Sequence, residues 1–281
     1  MKRRKGLKLM MVMALITAAS LVITVYLTQT PAHAAVDCSS ATANTDTDGD
    51  GFSDLDECNG ITFAGTAGGT FKGYNNKTSN RNEYLDPNSK DLFVILVPAS
   101  GTSHLPTDPF YFIYSPTAAP SYGLGIATHQ ITINQAKTDR TVSLQSTQKA
   151  VRVTESLDKP VDSSGNKILG SSASMHGTPN DKDTATVYTL NIEDHANINI
   201  YGGTAPSDFV LNYKRHSIAH EIAHSLMLTT RYDRKIGYHY ASGTGVILDQ
   251  QVYYSTSGGG DPVVNLGITF KSGDQSGAVL K

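Results

Sequence analysis

The 281-residue sequence predicts an α+β domain, in which a twisted mixed β-sheet packs on one long helix. Three observations carry this. "DLFVILV" (91–97) is an apolar run of strand length between Lys90 and Pro98, as expected of a buried central strand. "ATHQITINQ" (127–135) and "KAVRVTES" (149–156) alternate apolar and polar residues, the pattern of half-buried strands. Residues 207–228 place Ala219, Ile222, Ala223, Leu226 and Met227 on one helical stripe, with Ser207 as the expected N-cap.

The chain divides into four expected parts. Residues 1–34 read as a signal peptide: Lys2, Arg3, Arg4, Lys5 and Lys8 precede an apolar run from Leu9 to Leu27, and Ala32-His33-Ala34 has the small-x-small form of a cleavage site. An uncleaved membrane anchor is the alternative, since 19 apolar residues can just span a bilayer. The whole chain carries −2; without those five basic residues it carries −7, spread over 247 residues. That balance argues against nucleic acid or an anionic membrane surface as partner, and no stable membrane association is expected after cleavage. The remaining parts are a disulfide-closed, calcium-binding segment (35–60), a Gly/Asn/Thr-rich linker (61–90) and the main domain (91–281). Cys38 and Cys58 are the only cysteines, and in an exported chain they read as one disulfide.

Between the cysteines lies "DTDGDGFSDLDE" (46–57). Asp46, Asp48 and Asp50 occupy positions 1, 3 and 5 of a calcium loop, Gly51 position 6, Phe52 position 7 through its carbonyl, Asp54 position 9 and Glu57 position 12. Carboxylates this dense repel one another without a cation. The stretch resembles the aspartate-rich repeats of thrombospondin type 3 and an EF-hand loop, although no helix is expected before Asp46. The expected role of Ca²⁺ is structural, ordering a segment too short to own a core.

Four prolines in 105–123 argue against a long helix there, 159–183 reads as loop, and "TATVYTLNIEDHANINI" (184–200) is ambiguous between helix and strand. Within the predicted long helix sits His220-Glu221-Ile222-Ala223-His224, an H-E-x-x-H with two imidazoles one turn apart. A catalytic zinc usually takes three protein ligands and keeps one open position. His216 lies one turn upstream on roughly the same face, where a straight helix does not wrap a tetrahedral ion, and reads as a supporting or surface residue. His104, His129, His176 and His195 stand alone and read as structural or surface residues.

The H-E-x-x-H resembles the zincin metallopeptidases. No Glu follows Glu221, so a downstream glutamate ligand is closed. Met227 and Thr230 stand where the short metzincin pattern has Gly and then His or Asp. "GYHYASGTGVILDQ" (237–250) resembles the closing part of a metzincin site, with His239 as third ligand and Leu248 in place of the Met of the turn beneath the metal. Asp233, Asp249, Asp261 and Asp274 are the other downstream candidates. The resemblance implies a zincin-like fold around an active-site helix, Zn²⁺ on His220, His224 and His239, and Glu221 as general base. It implies a secreted metalloprotease, a hydrolase of protein or peptide substrates, with Tyr238, Tyr240, Tyr253 or Tyr254 as oxyanion donor. The competing expectation is a secreted calcium-binding adhesive or structural protein with a vestigial or non-peptidase zinc site. Oligomeric state is not legible.

Overall fold

The computed structural model describes residues 35–111, 113, 126–146, 148–172 and 184–226, and the backbone of 253–255 and 263–265. Strands are β1 (Gly60–Thr62), β2 (Thr70–Lys72), β3 (Asp91–Val97), β4 (Ala127–Ile131), β5 (Val151–Ser156), β6 (Gly170–Ser172), β7 (Thr184–Tyr188), β8 (Tyr253–Ser255) and β9 (Val263–Asn265). Helices are α1 (Asp54–Asn59), α2 (Thr189–Asp194) and α3 (Ser207–Ser225). The fold class is α+β, built on a mixed five-stranded sheet of order β4-β3-β5-β7-β6. Four of its strands run parallel, and β6 closes one edge antiparallel to β7.

β3 is an interior strand with helices on one face of the sheet and the β1–β2 hairpin and adjoining loops on the other, so a continuous apolar run is what its position demands. Its side chains alternate between two cores. Leu92 and Val94 join Val151, Val153, Ala185 and Val187 beneath Ile192, Tyr213, Ile218, Ile222 and Leu226 of the helical layer. Phe93 and Ile95 face the other way, into a second core with Phe52, Ile61, Phe63, Leu85 and Val142. Rings gather around Phe93: Phe71 at 5.2 Å, Phe52 at 5.7 Å and Phe63 at 6.2 Å.

Phe52 belongs to the acidic loop, and Phe63 and Phe71 to the stretch expected to be a linker. Residues 61–90 therefore hold most of the hairpin β1–β2 and two 3₁₀ turns, Tyr74–Asn76 and Arg81–Glu83. The described residues from Val36 onward fall in one compact unit. The acidic segment owns no core and shares the domain's second one.

Other expectations were met in part. The strand expected over 127–135 ends at Ile131, and that over 149–156 starts at Val151. β6 lies inside the expected loop 159–183; a Gly-Ser-Ser strand carries no hydrophobic alternation to read. The ambiguous 184–200 is strand, then α2, then a π-helical segment over His195–Ile200. Ser207 is the first helical residue of α3, and Pro206 takes the N-cap position without a side-chain cap bond. The signal-peptide stretch 1–34 lies outside the described residues. Among those described, no helix is long and apolar enough to cross a membrane.

Glu155, buried at the end of β5, ties the sheet to its surrounding loops. It accepts hydrogen bonds from Ala99 N (3.0 Å), Ser103 Oγ (2.7 Å), His104 N (2.7 Å) and Thr189 Oγ1 (2.9 Å). Burial raises its carboxyl, but these donors together outweigh burial and hold it below its ordinary value of 4.5. In acid, unfolding then takes up a proton. The stability Glu155 contributes is present above 4.5 and lost as pH falls through the lowered value. Glu155→Gln is expected to cost about 2–3 kcal/mol at neutral pH and to flatten the acid limb of a stability–pH curve measured by urea unfolding.

Candidate metal centres

α3 packs across β5, β6 and β7. Its C-terminal half is covered almost all round. Of the expected stripe, Ala219, Ile222, Ala223 and Leu226 are buried, as are His216, Ser217, Glu221, His224 and Ser225 beside it, while Met227 lies outside the described residues. Buried polar side chains need partners. Two serines find them in the helix backbone, Ser217 Oγ donating to Tyr213 O and Ser225 Oγ to Glu221 O.

The imidazoles of His220 and His224 converge, with Nε2 atoms 3.0 Å apart and rings inclined by 78°. Two nitrogens bound to one tetrahedral zinc at about 2.0–2.1 Å lie about 3.3 Å apart, so the pair fits a shared ion with little movement. His216 is buried, not at the surface, with its ring 6.0 Å from that of His220.

Glu221, 7% exposed, lies against the edge strand. A Cβ placed on Gly170 would come within 2.5 Å of its Oε1 and 2.6 Å of its Cγ, so the missing side chain of β6 is the space Glu221 occupies. Burial alone pushes the Glu221 carboxyl up, to about 8. His239, Tyr238, Tyr240, Leu248, Asp233, Asp249, Asp261 and Asp274 lie outside the described residues. Tyr253 and Tyr254 are in β8, described by its backbone pairing with β9. The lone histidines that are described are hydrogen-bonded. His104 meets Glu193, His129 meets Asp91 and Asn82, and His195 meets Tyr213.

The acidic loop is closed by the Cys38–Cys58 disulfide, Cα atoms 5.5 Å apart. Gly49 and Gly51 have φ of +74° and +98°, the left-handed conformation in which glycine carries no Cβ penalty; Gly51 is the position 6 residue. Asp46 folds the turn, accepting from the amides of Gly49, Asp50 and Gly51. Asp54 accepts with both oxygens from Thr47, and thereby braces the loop start on α1. Among the described residues no helix precedes Asp46, and the short α1 follows it.

Asp46, Asp48 and Asp50 form one triad of converging oxygens, and Asp50, Glu57 and Asp91 a second, each within 4.8 Å. Two oxygens on one calcium at 2.3–2.6 Å are at most about 5 Å apart, so both triads fit a calcium-sized ion. Glu57 is fully buried and neither of its oxygens has a hydrogen-bond partner; Asp48 Oδ2 is likewise buried without one. Burial first, and then repulsion from Asp50, Asp48, Asp91 and Asp46, pushes the Glu57 carboxyl up to about 12. Burial, with Asp91 and Asp46, pushes Asp48 up to about 7, and burial with Asp48 and Asp91 holds Asp50 well above the usual range. A cation placed among these carboxylates would favour their ionised form.

Two residues escaped the sequence reading. Asp91 stands in the sequence only as the first residue of the apolar run between Lys90 and Pro98; a carboxylate at the head of that run was the available signal. Gly170 matters only through a contact between β6 and α3, for which one sequence carries no signal. Set against known protein families, curated proteins and solved structures, the chain finds no match in any of the three.

Proposed function

We propose that the chain is an exported zinc-dependent metallopeptidase, zincin-like in its catalytic half and stabilised by calcium at its N-terminal loop. The observation that carries this reading is the convergence of the His220 and His224 Nε2 atoms to 3.0 Å beside the buried Glu221. A zinc ion held there would lower the pKa of a bound water to ~7 and polarise a carbonyl. Glu221 takes the proton of the attacking water on its carboxylate and hands it to the nitrogen of the leaving amine. The neighbouring strand favours a peptide over a smaller substrate. β6 ends the five-stranded sheet next to Glu221, and an extended peptide adding to that edge would lie along the His–Glu face of α3. Calcium on Asp46, Asp48, Asp50, the Phe52 carbonyl and Glu57 is structural in this reading. Asp54 joins them as the position 9 ligand, a place that often ligates through water, while it also accepts from Thr47.

The test is metal analysis of the purified protein together with cleavage of a broad peptide library. His239→Ala is expected to reduce zinc occupancy sharply and abolish cleavage. Retained zinc in His239→Ala, with loss in Asp233→Ala or Asp249→Ala, would reassign the third ligand. Protein that binds calcium but neither zinc nor peptide would instead be a calcium-binding structural module.

A further inference from the structure

We propose that Asp91 is a ligand of the loop's cation, so that the ion fastens residues 46–57 to the first residue of the central strand. The inference rests on the calcium reading of the loop and adds to it a carboxylate from outside the twelve-residue pattern. Asp91 is fully buried, and its carboxylate converges with those of Asp50 and Glu57 within 4.8 Å. Glu57 faces this point with two oxygens that nothing else satisfies. A buried acceptor without a donor is costly, and three carboxylates around one space call for a positive charge inside it.

The polar contacts of Asp91 leave it able to serve. Oδ1 is held by Arg81 Nη2 at 2.8 Å and His129 Nε2 at 2.7 Å, and Oδ2 accepts from Asp86 N at 2.8 Å. A carboxylate has about four acceptor positions, so Oδ2 retains one. The backbones are already joined at this point. Asp91 N donates to Asp50 Oδ2 at 2.8 Å, and Gln148 Nε2 donates to both Asp50 O (2.9 Å) and Asp91 O (2.7 Å). The ion would complete a junction between loop, β3 and the Arg81–His129 pair behind it. Calcium removal should then loosen the sheet at β3 as well as the loop.

The experiment is calcium titration of the purified protein by calorimetry, with wild type, Asp91→Asn and Arg81→Gln compared. Asp91→Asn should bind calcium about tenfold more weakly or worse, because one charged ligand is gone. Arg81→Gln removes the same ion pair but keeps the ligand; its calcium affinity should stay within about threefold of wild type while its thermal stability falls. A folded Asp91→Asn with wild-type affinity overturns the proposal and leaves Asp91 as a partner of Arg81 and His129 only, with the loop reading intact. Wild type that binds no calcium at millimolar supply removes the loop reading and this inference together. Should Asp91→Asn fail to fold, hydrogen exchange of wild type decides. Amides of β3 from Asp91 onward should lose protection in chelator, and loss confined to 46–59 overturns the proposal.

Discussion

Glu221→Gln is expected to keep its zinc and to lose about two to four orders of magnitude in peptide hydrolysis. Glutamine matches glutamate in size and polarity, which matters where Gly170 leaves only enough room for the native side chain. What it lacks is a basic oxygen, so the proton of the attacking water has no acceptor at that position. The same substitution should not harm the fold. Burial pushes the Glu221 carboxyl from 4.5 to about 8, so in the metal-free protein the folded state holds a proton that the unfolded chain releases. Stability from this group is therefore complete below about 4.5 and falls as pH rises toward 8. A neutral amide escapes that loss, and metal-free Glu221→Gln should unfold at an equal or higher temperature than wild type at pH 7. Activity lost while stability is held marks a residue kept for chemistry. Unchanged hydrolysis would dismiss Glu221 as the base, and loss of zinc along with activity would make its role structural.

The sequence was most informative where a single physical demand shapes a run of residues. A strand buried on both faces needs continuous apolar side chains, and β3 has them. A tight acidic turn needs glycine at the left-handed positions, and Gly49 and Gly51 supply it. An i, i+4 pair of histidines stacks by helical geometry alone, which is why His220 and His224 could be paired before any coordinates. Legibility failed where the cause is contact between distant segments. β6 is a strand because β7 offers it an edge, and three small residues leave no other trace. Phe63 and Phe71 sit among Gly, Asn and Thr, and that composition hid a hairpin whose rings pack on Phe93. Asp91, 41 residues beyond Asp50, joins the converging carboxylates from far outside the loop pattern. A local pattern ranks residues by spacing, whereas a metal cluster forms from whatever oxygens the tertiary fold brings within reach.

Phe52→Ala is expected to destabilise the whole domain by about 3–5 kcal/mol, the usual range for removing a buried phenylalanine ring. Phe52 is 1% exposed, and its ring meets Phe93 edge-on at 5.7 Å. Phe93 in turn contacts Phe63, Phe71 and His129, so the lost ring opens a cavity in the core beneath β3 and β4. For a domain of this size the melting temperature should fall by roughly 6–20 °C in a single transition. The substitution keeps the backbone carbonyl that the loop pattern offers to calcium, so it separates packing from ligation. At saturating calcium the ion adds nearly the same RT ln(1 + [L]/Kd) to both proteins if their affinities match, and the gap between them should persist. Were the acidic segment an independent appendage, the global transition would not move. Limited proteolysis of Phe52→Ala would then cut only within residues 36–60 and leave the remainder as resistant as wild type. That outcome would separate the loop from the domain core and restore the boundary that composition alone suggests near residue 60.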